Sequence, residues 1–138
     1  MRTTLLCVGR VRAPFAEADA HYRRLLGRNL PVEVTEAKDD RDLIRRLPER
    51  ARIVAIDRGG RSLDSIAWSR WLDQRRLDAR DVCLVIGGPE GLPDAALERA
   101  DESISLGPQT MAHQLARVVL LEQLFRAGKI LAGETYHH

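Results

Sequence analysis

Two short loops rich in glycine carry the residues best suited to hold a ligand. The apolar run Val82–Ile86 stops at Gly87–Gly91 (GGPEG), and a second apolar segment, Ile104–Leu106, stops at Gly107 and Pro108. A run of a few apolar residues closed by glycine and proline is typical of a fully buried strand. Because open α/β folds bind ligands at the carboxyl edge of the sheet, these two loops predict the functional site.

The first loop does not match the known nucleotide-phosphate loops. GGPEG fits neither G-x-G-x-x-G nor G-x-x-x-x-G-K-[ST], and no lysine lies near it. Its glycines would instead let a flat ligand approach the backbone closely, or allow a positive φ. A tight turn from strand to helix is the alternative. No local spacing indicates a serine or cysteine catalytic triad.

A histidine directly follows the second loop. His113 begins the longest predicted helix, at about residues 112–128. A helix N-terminus favours an anion or a neutral imidazole, although an isolated histidine there can be purely structural. His113 and Arg117 are four residues apart and share a face, as do Glu122 and Arg126, which can pair. Solvated helix charges are the alternative interpretation of these polar residues.

The same helix has two apolar faces. They consist of Leu115, Val118 and Val119 on one side, and of Leu120, Leu121, Leu124 and Phe125 nearly opposite. A helix that is apolar on two sides is buried on two sides. In so small a domain, we expect one face to meet the sheet and the other a second subunit. The sequence therefore predicts a homodimer.

Strands and helices alternate along the whole chain. Strands are predicted at residues 3–8, 32–36, 52–57, 82–86 and 104–106, and helices at about 14–27, 39–47, 62–77, 93–100 and 112–128. No repeat, linker or low-complexity tract interrupts them. This alternation predicts a single α/β domain over residues 1–138, with a mostly parallel sheet of five or six strands and helices on both faces.

Composition narrows the functional classes. No apolar run approaches the roughly 20 residues that cross a bilayer, so we expect a cytoplasmic protein without a membrane partner. Cys7 and Cys83 lie in apolar runs, as small buried hydrophobes do, and no metal-ligand spacing appears. The net charge of +2 is small, yet only Lys38 and Lys129 of the 22 basic residues are lysine. Arginine suits phosphate, although a GC-rich genome gives the same bias.

Several segments in order resemble one protein family. They are Leu84–Leu92 (LVIGGPEGL), Ser105–Leu106, Thr110–His113 (TMAH), Gln114–Ala127 and Tyr136–His137. Together they resemble the RlmH family of large-subunit ribosomal RNA pseudouridine N3-methyltransferases, in the SPOUT class of knotted methyltransferases. GGPEG followed by T-x-x-H-Q-L-x-R-V is far more specific than a lone glycine motif.

The resemblance implies a trefoil knot at about residues 82–128, followed by a C-terminal tail at 129–138. It also implies S-adenosylmethionine as cofactor, 23S ribosomal RNA within the ribosome as substrate, and a homodimer whose active site borrows the partner's surface. Carried over position by position, the cofactor-binding residues are Ile56, Gly87, Leu106, Gly107, Pro108, Gln109, Thr110 and Met111.

The resemblance further assigns roles to polar residues. Methylation at N3 of pseudouridine removes a weakly acidic imide proton, so the site must orient two reactants and stabilise developing charge. His113 is expected to act as general base or hydrogen-bond partner. Together with it, Tyr136 and His137 are the predicted catalytic residues, stacking on or clamping the extruded nucleotide. The predicted RNA-binding residues are Arg117, Arg126 and His138.

The chain departs from the family pattern in three places. It has Ala112 where the family usually has proline, Gly128 where it usually has tryptophan, and Thr135–His138 where the tail usually reads P-Y-H followed by arginine or lysine. A terminal histidine carries less positive charge at neutral pH, which affects RNA affinity or substrate choice. Two alternatives stay open: a SPOUT methyltransferase acting on another RNA such as tRNA, and a non-catalytic RNA-binding knot protein.

Overall fold

Five strands and five helices alternate in a computed structural model that describes residues 1–136. The strands are β1 (Thr3–Val8), β2 (Val32–Ala37), β3 (Arg52–Ser62), β4 (Val82–Ile86) and β5 (Glu102–Ser105). The helices are α1 (Phe15–Leu26), α2 (Asp40–Arg46), α3 (Ser65–Asp78), α4 (Asp94–Arg99) and α5 (His113–Leu131). Across residues 1–136, no helix combines the length and the apolar character needed to cross a bilayer.

The strands form one parallel sheet in the order β2-β1-β4-β3-β5. The predicted parallel α/β architecture is therefore confirmed, with five strands. This order places β3 between β4 and β5. Because their carboxyl ends lie at the same edge, the loops that follow them are brought together there.

Side chains of the sheet alternate between two apolar layers, because successive residues of a strand point to opposite faces. Leu84 and Ile86 of β4 belong to the layer built with α1, α3 and α5, whereas Cys83 and Val85 belong to the layer built with α2 and α4. Every residue of β4 is buried. The predicted placement of helices on both faces is confirmed.

Two helix starts depend on aspartate caps. The Asp39 carboxylate accepts a hydrogen bond from the backbone N–H of Asp42 at 2.8 Å, which begins α2. The Asp64 carboxylate accepts one from Ala67 N–H at 2.8 Å, which begins α3. Both satisfy a backbone donor that the first turn leaves without a partner. With Asp64 as the cap, α3 begins three residues later than the predicted start at about residue 62.

Two elements run further than the sequence predicts. β3 continues past Asp57 to Ser62, and Ile104 of β5 is paired with both Ile56 and Arg61 across a register shift. Glycines there do not end the strand but let it lie against the β5 backbone. α5 continues through Gly128 to Leu131, because packing of its buried face outweighs the roughly 1 kcal/mol that a helical glycine costs. The segment after the last helix thus begins three residues later than predicted.

A buried ion-pair network joins α5 to α1 and β2. The guanidinium of Arg117, which is 3% exposed, donates from Nε to Asp19 Oδ1 at 2.7 Å and from Nη1 to Glu36 Oε2 at 2.7 Å. Burial opposes the charge of Arg117, but the hydrogen bonds to Asp19 and Glu36 outweigh it and raise the pKa of Arg117. Since an unpaired interior charge is strongly unfavourable, this network sets the rotation of α5 about its axis.

Replacing Arg117 by alanine is expected to lower the free energy of unfolding by about 3–5 kcal/mol, because Asp19 is left buried without its main partner. Denaturant unfolding at constant protein concentration, followed by circular dichroism, measures the change. Arg23 is the matched control: its side chain is 41% exposed and 3.7 Å from Asp19. Arg23→Ala should cost less than about 1 kcal/mol. Equal losses in the two variants would contradict this role of Arg117.

Candidate functional site

A cavity of about 370 Å³ lies where β4 and β5 end, beside the middle of β3. Its walls are the middle of β3 (56–58), the loop after β4 (87–92) and the segment that joins β5 to α5. This volume falls within the range of small-molecule sites in proteins. The prediction that the two glycine loops lie together at the carboxyl edge is confirmed.

The first loop folds back on itself within a few residues. Gly88 and Gly91 form an antiparallel bridge, in which Gly91 N–H donates to Gly88 C=O at 3.0 Å. A Cβ added at Gly87 would lie 2.3 Å from the carbonyl carbon and oxygen of Gly91, so only glycine fits. This wall of the cavity is therefore formed by backbone atoms. The tight turn explains the glycines of GGPEG, and no phosphate-binding role is needed to account for them.

The second loop is held from both sides. Gly107 has a φ of +133°, and Ser105 Oγ both accepts from Gly107 N–H at 3.0 Å and donates to Gly107 C=O at 2.7 Å. Further along, Arg58 Nη1 donates to Thr110 Oγ1 at 2.8 Å. The Arg58 bond ties the second loop to β3, so these two segments share one rim of the cavity.

Most of the predicted cofactor residues meet at this cavity. The lining includes Ile56, Gly87, Leu106, Gly107, Gln109, Thr110 and Met111. Pro108 is not part of the lining. His113, half-buried at the first turn of α5, also lies on the wall. The cavity is therefore lined by backbone and apolar side chains, and the imidazole of His113 lies on its wall.

Three charged residues of the cavity were missed in the sequence. Asp57 is the last residue of the predicted third strand, Arg58 follows it, and Glu90 lies inside the first loop. The signal was available, because polar residues directly after a buried parallel strand lie at its carboxyl edge. They add two carboxylates and one guanidinium to the rim.

The start of α5 also organises the loop after β1. Gln114 Oε1 accepts from Arg12 N–H at 2.9 Å, and Gln114 Nε2 donates to Arg10 C=O at 3.2 Å. Glu36 Oε2 accepts from Val11 N–H at 2.9 Å. Burial opposes ionisation of Glu36, but this bond and the contact with Arg117 outweigh it and lower the pKa of Glu36. Residues 10–12 are therefore held beside His113.

The predicted tail residue Tyr136 lies at the opposite end of α5. Its ring contacts Phe125 edge-on at 4.9 Å between centroids, and the Arg126 guanidinium lies 4.8 Å from the ring centre. Arg126 is also paired with Glu122 at 3.0 Å. Burial and the nearby Glu122 carboxylate raise the pKa of Tyr136, so its phenol stays protonated at neutral pH.

One chain therefore does not bring all predicted site residues together. His113 and Arg126 are separated by 13 positions of a continuous helix, which corresponds to about 20 Å along its axis. Tyr136 and Arg126 lie far from the cavity of their own chain. The other two tail residues, His137 and His138, lie outside the described residues.

The predicted RNA contact of Arg117 needs correction. Its side chain is enclosed by Asp19 and Glu36 rather than presented to solvent. An RNA phosphate could reach the guanidinium only by breaking the buried network. Arg117 therefore serves the interior of this chain, consistent with its position between apolar residues of α5.

The two cysteines do not form a reactive site. Cys7 and Cys83 are buried, and burial raises the pKa of their thiols to about 12 and about 11. Neither thiol is ionised at neutral pH, so neither has the thiolate that nucleophilic or metal chemistry needs. Within residues 1–136, no group of three or more His, Cys, Asp or Glu side chains is placed to hold a metal ion.

Comparison with known proteins gives full-length matches. A family model described as predicted SPOUT methyltransferase matches residues 1–137. Ribosomal RNA large subunit methyltransferase H of Gemmatimonas aurantiaca is 44% identical, with 99% of each chain aligned. The protein of that name from Solidesulfovibrio magneticus is 45% identical, with 97% of each chain aligned. The one from Rubrobacter xylanophilus is 46% identical, with 99% of this chain and 98% of that one aligned.

Solved structures share the fold. The putative methyltransferase Lpg2936 from Legionella pneumophila, in complex with S-adenosylmethionine, gives a TM-score of 0.51 at 14% identity, covering 89% of this chain and 65% of that one. TrmJ from Z. mobilis ZM4 gives 0.53 at 10% identity, covering 92% and 70%. At these identities the likeness concerns the fold alone.

Gly87→Ala is expected to lower the free energy of unfolding by about 1–3 kcal/mol, because its Cβ meets backbone that cannot rotate away. Gly128→Ala is the matched control: a Cβ there has no neighbour within 4 Å. In a helix interior that change should be neutral or stabilise by up to about 1 kcal/mol. Denaturant unfolding of both variants provides the measurement. A Gly87→Ala protein as stable as Gly128→Ala would show that the first loop is looser than described.

Proposed function

This chain belongs to the SPOUT methyltransferase family that includes ribosomal RNA large subunit methyltransferase H, and we propose that it methylates N3 of a pseudouridine in 23S ribosomal RNA. The observation that carries the proposal is the cavity where β4 and β5 end, beside the middle of β3. Both loops of the family motif form its walls, and His113 lies on the same wall. The proposed place of action is the ribosome, in the cytoplasm.

The cavity fits S-adenosylmethionine chemically. The glycines of the two loops leave room for a flat purine, and Ile56, Leu106 and Met111 offer apolar surface. The carboxylates of Asp57 and Glu90 lie at the same cavity, where they can balance a positively charged ligand. When bound, S-adenosylmethionine supplies an electrophilic methyl group. The trefoil knot at residues 82–128 is part of the same proposal.

His113 is the proposed acceptor of the imide proton. Its imidazole is half-buried beside the second loop, so a base placed against that loop would lie within its reach. Gln114, the next residue, bonds to the backbone of Arg10 and Arg12, which fixes the first turn of the helix that carries His113. The chain's part in the reaction is therefore to orient the base and to remove one proton.

We further propose that two copies of the chain complete the site. Leu115 on the outer face of α5 is 39% exposed, and Val118 and Val119 beside it are only half-buried. An apolar face of this kind suits a second copy of α5. An antiparallel arrangement would bring Tyr136 and Arg126 of one copy to His113 of the other. The separation of these groups within one chain supports this arrangement.

Methyl transfer to different RNAs tests the proposed substrate. Labelled S-adenosylmethionine would be supplied with assembled ribosomes, naked 23S RNA or tRNA, and the modified nucleotide identified by mass spectrometry. We expect transfer to ribosomes, at N3 of a pseudouridine. Transfer to tRNA alone would favour a SPOUT methyltransferase of different substrate. Absence of S-adenosylmethionine binding by calorimetry would favour the non-catalytic RNA-binding alternative.

His113→Ala and Tyr136→Ala should each reduce methyl transfer by about 10²-fold or more, since each removes a group that acts on the base. Binding of S-adenosylmethionine should persist in both. The exposed His21 of α1, outside the cavity, gives the control variant His21→Ala, which should keep its activity. Light scattering verifies that all variants have the same oligomeric state.

Mixing the two inactive variants tests the shared site directly. Refolding His113→Ala with Tyr136→Ala produces mixed dimers in which one of the two sites has both native residues. Activity should return to about a quarter of the wild-type value, because half of the dimers are mixed and half of their sites are intact. No recovery, with mixed dimers present, would contradict a site composed of two chains.

A further inference from the structure

A second cavity, of about 610 Å³, lies between α3 and the β3–β5 edge of the sheet, outside the methyl-transfer site. It is lined by the arginines Arg52, Arg61, Arg70 and Arg75, and we call it the arginine cleft. Glu102 is the one carboxylate among the described residues that line it. Guanidinium groups therefore outnumber carboxylates four to one in the lining of this cleft.

The floor of the arginine cleft is a structural ion cluster. Glu102 Oε2 accepts from Arg52 Nε at 2.7 Å, from Trp71 Nε1 at 3.2 Å and from Arg75 Nη1 at 3.3 Å. Arg75 also pairs with Asp78 at 3.0 Å. The side chains of Glu102 and Arg75 are only 14% and 11% exposed. These groups hold α3 against β5 and give the cleft a rigid base.

The rim of the arginine cleft is different. The side chain of Arg61 is 64% exposed and touches Glu102 at 3.3 Å, a contact that contributes little at the surface. Arg70 is exposed and has no hydrogen-bond or ion-pair partner among residues 1–136. Four guanidinium groups against the carboxylates of Glu102 and Asp78 leave two positive charges unbalanced. The rim therefore offers two charged forks to an outside anion.

The strand β3 connects the arginine cleft to the methyl-transfer cavity. Ile56–Arg58 line the cavity, and Arg61 lines the cleft. Arg58 and Arg61 are three positions apart in β3, so their Cα atoms lie within about 11 Å of each other. Arg58 is itself held on the cavity rim by Thr110. A polymeric anion can therefore contact the arginine cleft and the methyl-transfer cavity at the same time, whereas a small anion can contact only one of them.

We propose that the arginine cleft binds the phosphate backbone of the RNA substrate and positions it for the methyl-transfer cavity. Guanidinium groups match phosphate with paired hydrogen bonds, and phosphate contacts set the register of a bound RNA. With a net charge of only +2 for the whole chain, a local surplus of this size is the feature that distinguishes this surface. The inference rests on the proposed function, since it supplies that substrate with a second contact.

The double variant Arg61→Ala/Arg70→Ala tests the arginine cleft. Both side chains are exposed and neither is needed to hold Glu102, so the fold should be retained. The control is Arg41→Ala/Arg50→Ala, which removes the same charge from exposed positions that line neither cavity. Fluorescence anisotropy with a labelled single-stranded oligoribonucleotide, over a range of salt concentrations, gives the affinity.

The cleft variant should bind the oligonucleotide about tenfold more weakly at low salt than wild type. The slope of its log affinity against log salt should fall by about 1.4, as expected for two lost phosphate contacts. The control variant should stay within about twofold of wild type. Binding of S-adenosylmethionine should be the same in all three proteins.

Several results would overturn the proposal. They are unchanged RNA affinity in the cleft variant, an equal loss in the control variant, or no binding of the oligonucleotide by wild type at low salt. If the cleft variant bound RNA normally but ribosomal subunits more weakly, the ligand of the cleft would be an acidic protein surface and not RNA. Failure of the proposed function is separate: wild type would then bind RNA through the cleft but transfer no methyl group to ribosomal RNA.

Discussion

The buried guanidinium of Arg117 is the constraint on which the site depends. A charge in the interior has to be paired, and here its partners come from α1 and the end of β2. Once Arg117 meets Asp19 and Glu36, the rotation of α5 is determined. That rotation turns Leu120, Leu121 and Leu124 into the core and leaves His113 at the cavity. The geometry of the site is thus a consequence of an ion pair that does not touch it.

The same helix separates the groups that the proposed reaction needs. His113 lies at its first turn, and Tyr136 packs against Phe125 and Arg126 near its last. A continuous helix cannot bend these ends together, which is why we propose that a second chain completes the site. Gly128 does not interrupt the helix and therefore does not shorten this separation.

Arginine serves three purposes in this chain, and composition does not distinguish them. Arg117 neutralises interior carboxylates, whereas Arg58 fastens one loop of the cavity to another. Arg61 and Arg70 extend from a rigid base toward solvent. A net charge near zero therefore coexists with a concentrated positive surface, because carboxylates such as Asp19, Glu36 and Glu122 balance arginines elsewhere.

The sequence by itself determined the alternation of elements, the buried strand Val82–Ile86 and the meeting of two glycine loops at one sheet edge. Those features follow from local periodicity and turn chemistry. Only the tertiary structure decided the longer β3 and α5, the inward position of Arg117, and the distance of Tyr136 from the cavity. Each depends on contacts between distant residues, such as Asp19 and Arg117, which are 98 positions apart. Local patterns carry no information about such pairings, because the energy that selects them arises only when the chain has folded.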